Sequence, residues 1–192
     1  MNRTRLLSAI CLSTLALPAA AHTGHQDSFS FLSGLAHPVG GFDHLLAMVA
    51  VGLWAAKQQG KQRWLTPVTF VLSMLIGALL GAAELALPAV ESTIALSVLI
   101  LGLMVASHRT VAPQIALPLI ALFALSHGHA HGAEAPSGAL WLYMVGFVIA
   151  TSALHTAGWF AGETLLRKAG ALLRTAGIAI AASGLWLFGS AL

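Results

Sequence analysis

The stretch His37-Pro38-Val39-Gly40-Gly41-Phe42-Asp43-His44-Leu45-Leu46-Ala47-Met48 sets two imidazoles and a carboxylate at the mouth of an apolar run that continues to Ala56. Pro38 and the Gly40-Gly41 pair are expected to interrupt the helix there, because proline lacks a backbone donor and glycine stiffens nothing. Irregular backbone at a membrane edge is tolerated only where it is covered by protein or lines a wet cavity. His37, Asp43 and His44 are therefore placed to converge across the bend. Met48 follows His44 by one helical turn and shares its face. The bland alternative is a capped helix start, with Asp43 serving the first N–H groups and the histidines at the interface. Three such groups around one bend favour a functional site.

Composition says what kind of chain surrounds this stretch. Of 192 residues, 58% are hydrophobic and 8% charged, and the mean hydropathy is +0.86. A soluble domain carries about 25% charged residues. The fold expected is therefore all-α, a polytopic transmembrane helix bundle in a lipid bilayer. Nine histidines outnumber six acidic residues. Nine lysines and arginines are too sparse for a nucleic-acid footprint, so no nucleic acid is expected as partner. The single cysteine, Cys11, excludes thiolate-rich zinc sites and an internal disulfide.

Residues 1–21 read as a secretory signal peptide. Arg3 and Arg5 precede the apolar run Leu6 to Leu17, and Ala19-Ala20-Ala21 supplies small residues for cleavage. Residues 22–36 then form an exported arm, and 37–192 one membrane domain. Six apolar stretches follow, near 42–56, 65–83, 89–107, 114–130, 139–163 and 171–190. The first is short for a span of about 20 residues unless residues before Phe42 extend it. With an exported start, the loops after spans 1, 3 and 5 are cytoplasmic. They hold Lys57, Lys61, Arg63, Arg109, Arg167, Lys168 and Arg174, every basic residue beyond residue 21. That asymmetry is the positive-inside pattern. It predicts that the mature N-terminus and the C-terminus both lie on the exported side of the membrane. Gly77-x-x-x-Gly81 and Gly158-x-x-x-Gly162 add close helix packing.

Ionisable groups inside spans are costly and mark sites by default. At the outer end of span 4 stands His127-Gly128-His129-Ala130-His131-Gly132-Ala133-Glu134. His127 and His131 share a helical face at i, i+4. Glu134 extends that face if the helix persists past Gly132, while His129 points elsewhere. His155 lies about 24 Å along span 5, past the midplane, with Thr151 one turn before it. Glu163, near the cytoplasmic edge, is a weaker candidate, and His108 beside Arg109 reads as solvated. His22 and His25 suit an external metal-capturing arm, with Met48 and His129 as accessory donors.

Imidazole nitrogen and carboxylate oxygen without thiolate suit borderline divalent ions such as Ni2+, Co2+ or Zn2+. Ligand type does not rank nickel against cobalt. No phosphate-binding glycine loop is present, so any energy comes from gradients, the membrane potential or a partner. The absence of an H-E-x-x-H pattern speaks against an intramembrane metalloenzyme.

The stretch 37–48, continuing Val51-Gly52-Leu53-Trp54-Ala55, resembles the H-P-x-x-G-x-D-H-x-x-A-M-x-x-V-G-x-W-A signature of the HupE/UreJ proteins. The segment 127–134 is similar to that family's H-G-x-A-H-G-x-E element, and Ala153-Leu154-His155-Thr156-Ala157-Gly158 to its span 5 histidine region. The resemblance implies uptake of nickel, or cobalt, by a secondary or channel-like permease, and a link to hydrogenase or urease maturation. By position it nominates His37, Asp43, His44, His127, His131 and Glu134. The expected ion is cargo, with no permanently bound cofactor and no enzymatic activity. A non-transporting membrane accessory protein supplying nickel to hydrogenase or urease maturation uses the same ligands.

Overall fold

The computed structural model describes residues 31–109, 111–135 and 140–191. The signal peptide, His22 and His25 fall outside the described residues. Seven helices and no strand occur among the described residues: α1 (Phe31–Gly40), α2 (Phe42–Ala56), α3 (Gln62–Ala82), α4 (Val90–Ala106), α5 (Pro113–Glu134), α6 (Leu140–Lys168) and α7 (Gly170–Ser190).

The opening bend differs in detail from the expectation. Helix α1 runs through Pro38, and the break is confined to Gly41, whose backbone is extended. There the axis turns by 86° into α2. Pro38 does not stop the helix, since its missing donor removes only the one bond to the Gly34 carbonyl, and α1 continues to Gly40. The break lets His37 and His44, on separate helices, point toward one space.

Three helices, α3, α6 and α7, are long and apolar enough to cross a bilayer, and the bent pair α1–α2 makes a fourth if taken as one span. Helix α4 is apolar but has 17 residues. Helix α5 has 22 residues, but its last turns carry the histidine-rich segment. The surface supports a lipid environment. Leu72, Ile76, Leu122, Leu142, Ile178 and Leu185 lie outward and exposed, while His127, His131, Thr151 and His155 are buried. Trp64 is exposed at one end, and Trp141 and Trp186 at the other, where indole rings sit in membrane interfaces.

Helices α3 and α5 pack along each other, as do α4 and α7, and α2 lies along α6 with α1 against the start of α6. Small residues permit this, since helices in lipid associate through close van der Waals packing rather than a hydrophobic drive. Gly77 and Gly81 of α3 sit against the Leu125 and His129 carbonyls of α5. Reciprocally, Gly128 and Gly132 sit against the Met74 and Ala78 carbonyls of α3. Gly52 of α2 and Gly158 of α6 meet in the same manner.

The basic residues gather at one end. Lys57 Nζ donates to the carbonyls of Met104, Val105 and Ser107 at 2.9, 2.8 and 2.6 Å, closing the carboxyl end of α4. Half-burial, and then the nearby Arg174 guanidinium, push the Lys57 pKa below its ordinary value. Arg174 Nε donates to the Ala106 carbonyl at 3.3 Å. Arg63 of α3 pairs with Glu163 of α6, which also accepts from Arg167 at 3.2 Å. Replacing Lys57 by alanine orphans three carbonyls at once. It is expected to cost about 1–3 kcal/mol, read as a lower thermal midpoint in detergent, whereas Lys61→Ala, at an exposed position, leaves the midpoint unchanged.

Candidate metal centre

At the opposite end, α1, α2, α4 and α5 enclose a cavity of about 520 Å³ lined by His37, Asp43, His44, Glu91, His131 and Glu134. Three of the chain's six acidic residues are in that wall, and no lysine or arginine is among its lining residues. A carboxylate-rimmed cleft with low-dielectric walls concentrates cations.

Four imidazoles descend from this chamber. His37 and His131 have ring centroids 4.4 Å apart, His131 and His44 4.3 Å, and His44 and His127 4.6 Å. One nitrogen each of His37 and His131 and a carboxylate oxygen of Glu134 lie within 4.8 Å of one another. His37 Nε2 is 3.9 Å from Glu134 Oε2. The helix does persist through Gly132 to Glu134, because Gly132 serves the contact with α3 rather than a turn.

Hydrogen bonds orient two of these rings. Asp43 Oδ1 accepts from the His44 backbone N–H at 2.7 Å and lies 2.6 Å from His44 Nδ1. A carboxylate only accepts, so Nδ1 carries the proton and Nε2 is left as a lone-pair donor. His44 Nε2 is buried with no hydrogen-bond partner. Deeper, Ser97 Oγ donates to the Ile94 carbonyl at 2.6 Å and lies 2.9 Å from His127 Nε2. With its proton spent on that carbonyl, the serine oxygen accepts from Nε2–H, which leaves His127 Nδ1 as the free lone pair. His127 Nδ1 and both nitrogens of His131 are buried and unpartnered. Orphaned buried imidazole nitrogens carry a desolvation cost that an ion or ligand would remove.

The Phe70 ring sits 5.8 Å from His127 and 5.1 Å from His155, edge-on to the latter. His155 is buried, with both nitrogens unpartnered. It borders a second cavity of about 300 Å³, which Arg63 and Trp159 also line toward the basic end.

The other sequence candidates separate cleanly. His129 turns out of the cluster, its Nε2 lying 2.7 Å from the Leu85 carbonyl. Met48 is fully buried below His44. His108 is exposed, and Glu163 is committed to two arginines. Sequence reasoning passed over Glu91, Ser97 and Met74. Glu91 was legible as one of few acids, in the first turn of a helix, whereas Ser97 and Met74 carry no signal apart from their neighbours in space.

Apolar helix faces outward and a histidine- and carboxylate-lined interior define the class: a polytopic helical membrane protein with a polar internal chamber. The chain belongs to the HupE / UreJ protein family, which matches residues 10–187. It is 44% identical over 179 residues to Protein HupE of Rhizobium leguminosarum bv. viciae, covering 90% of this chain and 92% of that one. No solved structure matches.

Proposed function

We propose that the protein is a secondary or channel-like permease that takes up Ni2+, or Co2+, across the bacterial inner membrane. The observation that carries this reading is the line of imidazoles from His37, His131 and His44 through His127 to His155 behind a carboxylate-rimmed mouth, with buried unpartnered nitrogens on His44, His127, His131 and His155. An isolated binding site needs no fifth histidine beyond Phe70. Neutral nitrogen and carboxylate oxygen suit borderline divalent ions. Ligands on several helices, none forming a closed cage, suit an ion that must also leave.

In this reading six spans follow a cleaved signal peptide, with α1 and α2 sharing the first. The basic end faces the cytoplasm. Gathering of Lys57, Arg63, Arg167 and Arg174 at the end opposite the chamber supports that orientation. An ion enters among His37, Glu134 and His131, sheds water against His44 and His127, passes Phe70 and reaches His155. An inside-negative potential favours a divalent cation by about 4.6 kcal/mol per 100 mV.

Radiolabelled nickel uptake into proteoliposomes tests this directly. Uptake is expected to collapse in His37→Ala and in Asp43→Ala at equal protein content, and normal uptake in both sinks the assignment. Competition among Ni2+, Co2+, Zn2+ and Cu2+ ranks the cargo. Ser97→Ala removes the acceptor that holds His127 in one tautomer. It is expected to weaken nickel binding about tenfold with the fold retained, measured by titration calorimetry.

A second reading is a non-transporting accessory protein that hands nickel to a hydrogenase or urease maturation system. The Phe70 ring, in contact with both His127 and His155, favours it, since an apolar side chain there interrupts the series of nitrogen donors. Binding without flux in liposomes would select it.

A further inference from the structure

One buried group lies on the proposed route without belonging to the histidine set. Thr151 Oγ1 donates toward Met48 Sδ at 3.4 Å and Met74 Sδ at 3.9 Å. The three residues come from α6, α2 and α3, and all are fully buried. Thr151 is unlike four other helical threonines among the described residues. Thr66, Thr156, Thr164 and Thr175 all return their hydroxyls to the carbonyl one turn back. That is the default for a hydroxyl in an apolar helix. The Thr151 hydroxyl instead faces two thioethers across the centre of the bundle.

Their level in the membrane is set by the helix directions. Met48 lies one turn inward of His44 on α2, and Thr151 one turn outward of His155 on α6. Met74 lies one turn outward of Phe70 on α3. The two sulfurs and the oxygen therefore sit between the outer imidazoles and His155. Their spacing fits a shared ion. With metal–sulfur and metal–oxygen bonds of about 2.3 and 2.1 Å, two ligands at octahedral to tetrahedral angles lie about 3.1–3.6 Å apart. The shorter observed separation falls in that range, and the longer needs only a small rotamer adjustment of an unbranched thioether.

We propose that Met48, Met74 and Thr151 form a mid-membrane transit site, with two thioethers and a hydroxyl as donors, for a borderline-to-soft transition-metal ion. The site acts as the selectivity step behind an outer chamber whose carboxylates admit any divalent cation. Thioether sulfur holds Ni2+ and softer ions but offers little to Mg2+, Ca2+ or Mn2+. Hard ions that enter the chamber are then turned back. This rests on the permease reading above.

The test uses full-length protein in liposomes, with Ni2+ and Mn2+ as probes. Met48→Leu and Met74→Leu conserve volume and cost little stability, while Thr151→Ser keeps the hydroxyl and Thr151→Val removes it. Each leucine variant and Thr151→Val is expected to lose about tenfold or more in nickel flux. Calorimetric nickel affinity of the outer chamber should stay within about twofold of wild type. Thr151→Ser retains flux, and the ratio of nickel to manganese flux falls in the leucine variants. Met144→Leu, another buried core methionine, is the packing control and leaves flux unchanged. Wild-type flux with all variants unaffected overturns the transit site while the permease reading stands. Variants that lose outer binding in parallel with flux, or a Met144→Leu variant that behaves as they do, also overturn it. Absence of flux in the wild type removes both.

Discussion

Substituting His131 by alanine is expected to weaken nickel binding by about 100-fold or more, beyond the 10–100-fold typical of losing a group that merely supports a ligand. His129→Ala, two residues earlier in the same motif, is expected to leave binding within about twofold. The contrast follows from where the helix puts each ring. His131 is 1% exposed, with both nitrogens unpartnered. It touches His37 and His44 together and shares the closest group of ligand atoms with His37 and Glu134. Its removal separates the mouth of the chamber from the deeper imidazoles. His129 lies on another face and is occupied by the Leu85 carbonyl. Calorimetric titration of both variants with Ni2+ measures the difference, and equal losses would remove His131 from its central place.

The second large effect concerns a residue that binds nothing. Gly132→Val is expected to abolish accumulation of folded protein. A Cβ there would run into the Ala78 carbonyl and its neighbouring backbone atoms on α3. Overpacking a core usually costs about 1–3 kcal/mol when side chains can yield, but a backbone wall cannot rotate away. Helices α3 and α5 would have to separate along a contact built from Gly77, Gly81, Gly128 and Gly132. Separation would also carry His127 and His131 out of register with His44. Gly40→Ala is the matched control: nothing lies within 4 Å of a Cβ built there, and its cost should stay within about 0.5 kcal/mol. Fluorescence-detected size exclusion of both variants, followed by thermal melts, checks the pair. A monodisperse, wild-type-like Gly132→Val would show that the glycine contact is dispensable.

Gly132 also illustrates how sequence and structure divide the information. In one dimension it leaves open whether the helix persists as far as Glu134. In the bundle it is the place where another helix's backbone passes, so α5 continues and delivers Glu134 to the chamber. Pro38 behaves likewise: a strong local signal for interruption, yet the break falls at Gly41. Glu91 shows in the sequence only as one of six acidic residues, and it is the packing of α4 beside α5 that brings it to the wall of the histidine-lined cavity.

What the sequence determined by itself was everything that depends on composition and period. Sparse charge and high apolar content require a helical membrane protein, because no other arrangement hides backbone polar groups from lipid within one segment. Helical spacing paired His127 with His131 and separated His129 from both. Uneven placement of lysine and arginine divided the molecule into two ends. Only the tertiary structure decided which polar groups share a space. Ser97 selects the tautomer of His127, and Thr151 meets two sulfurs, through contacts between residues 30 and up to 103 positions apart. Such contacts arise from how closely glycine-lined helices approach, a property of pairs of surfaces that no single stretch of chain contains.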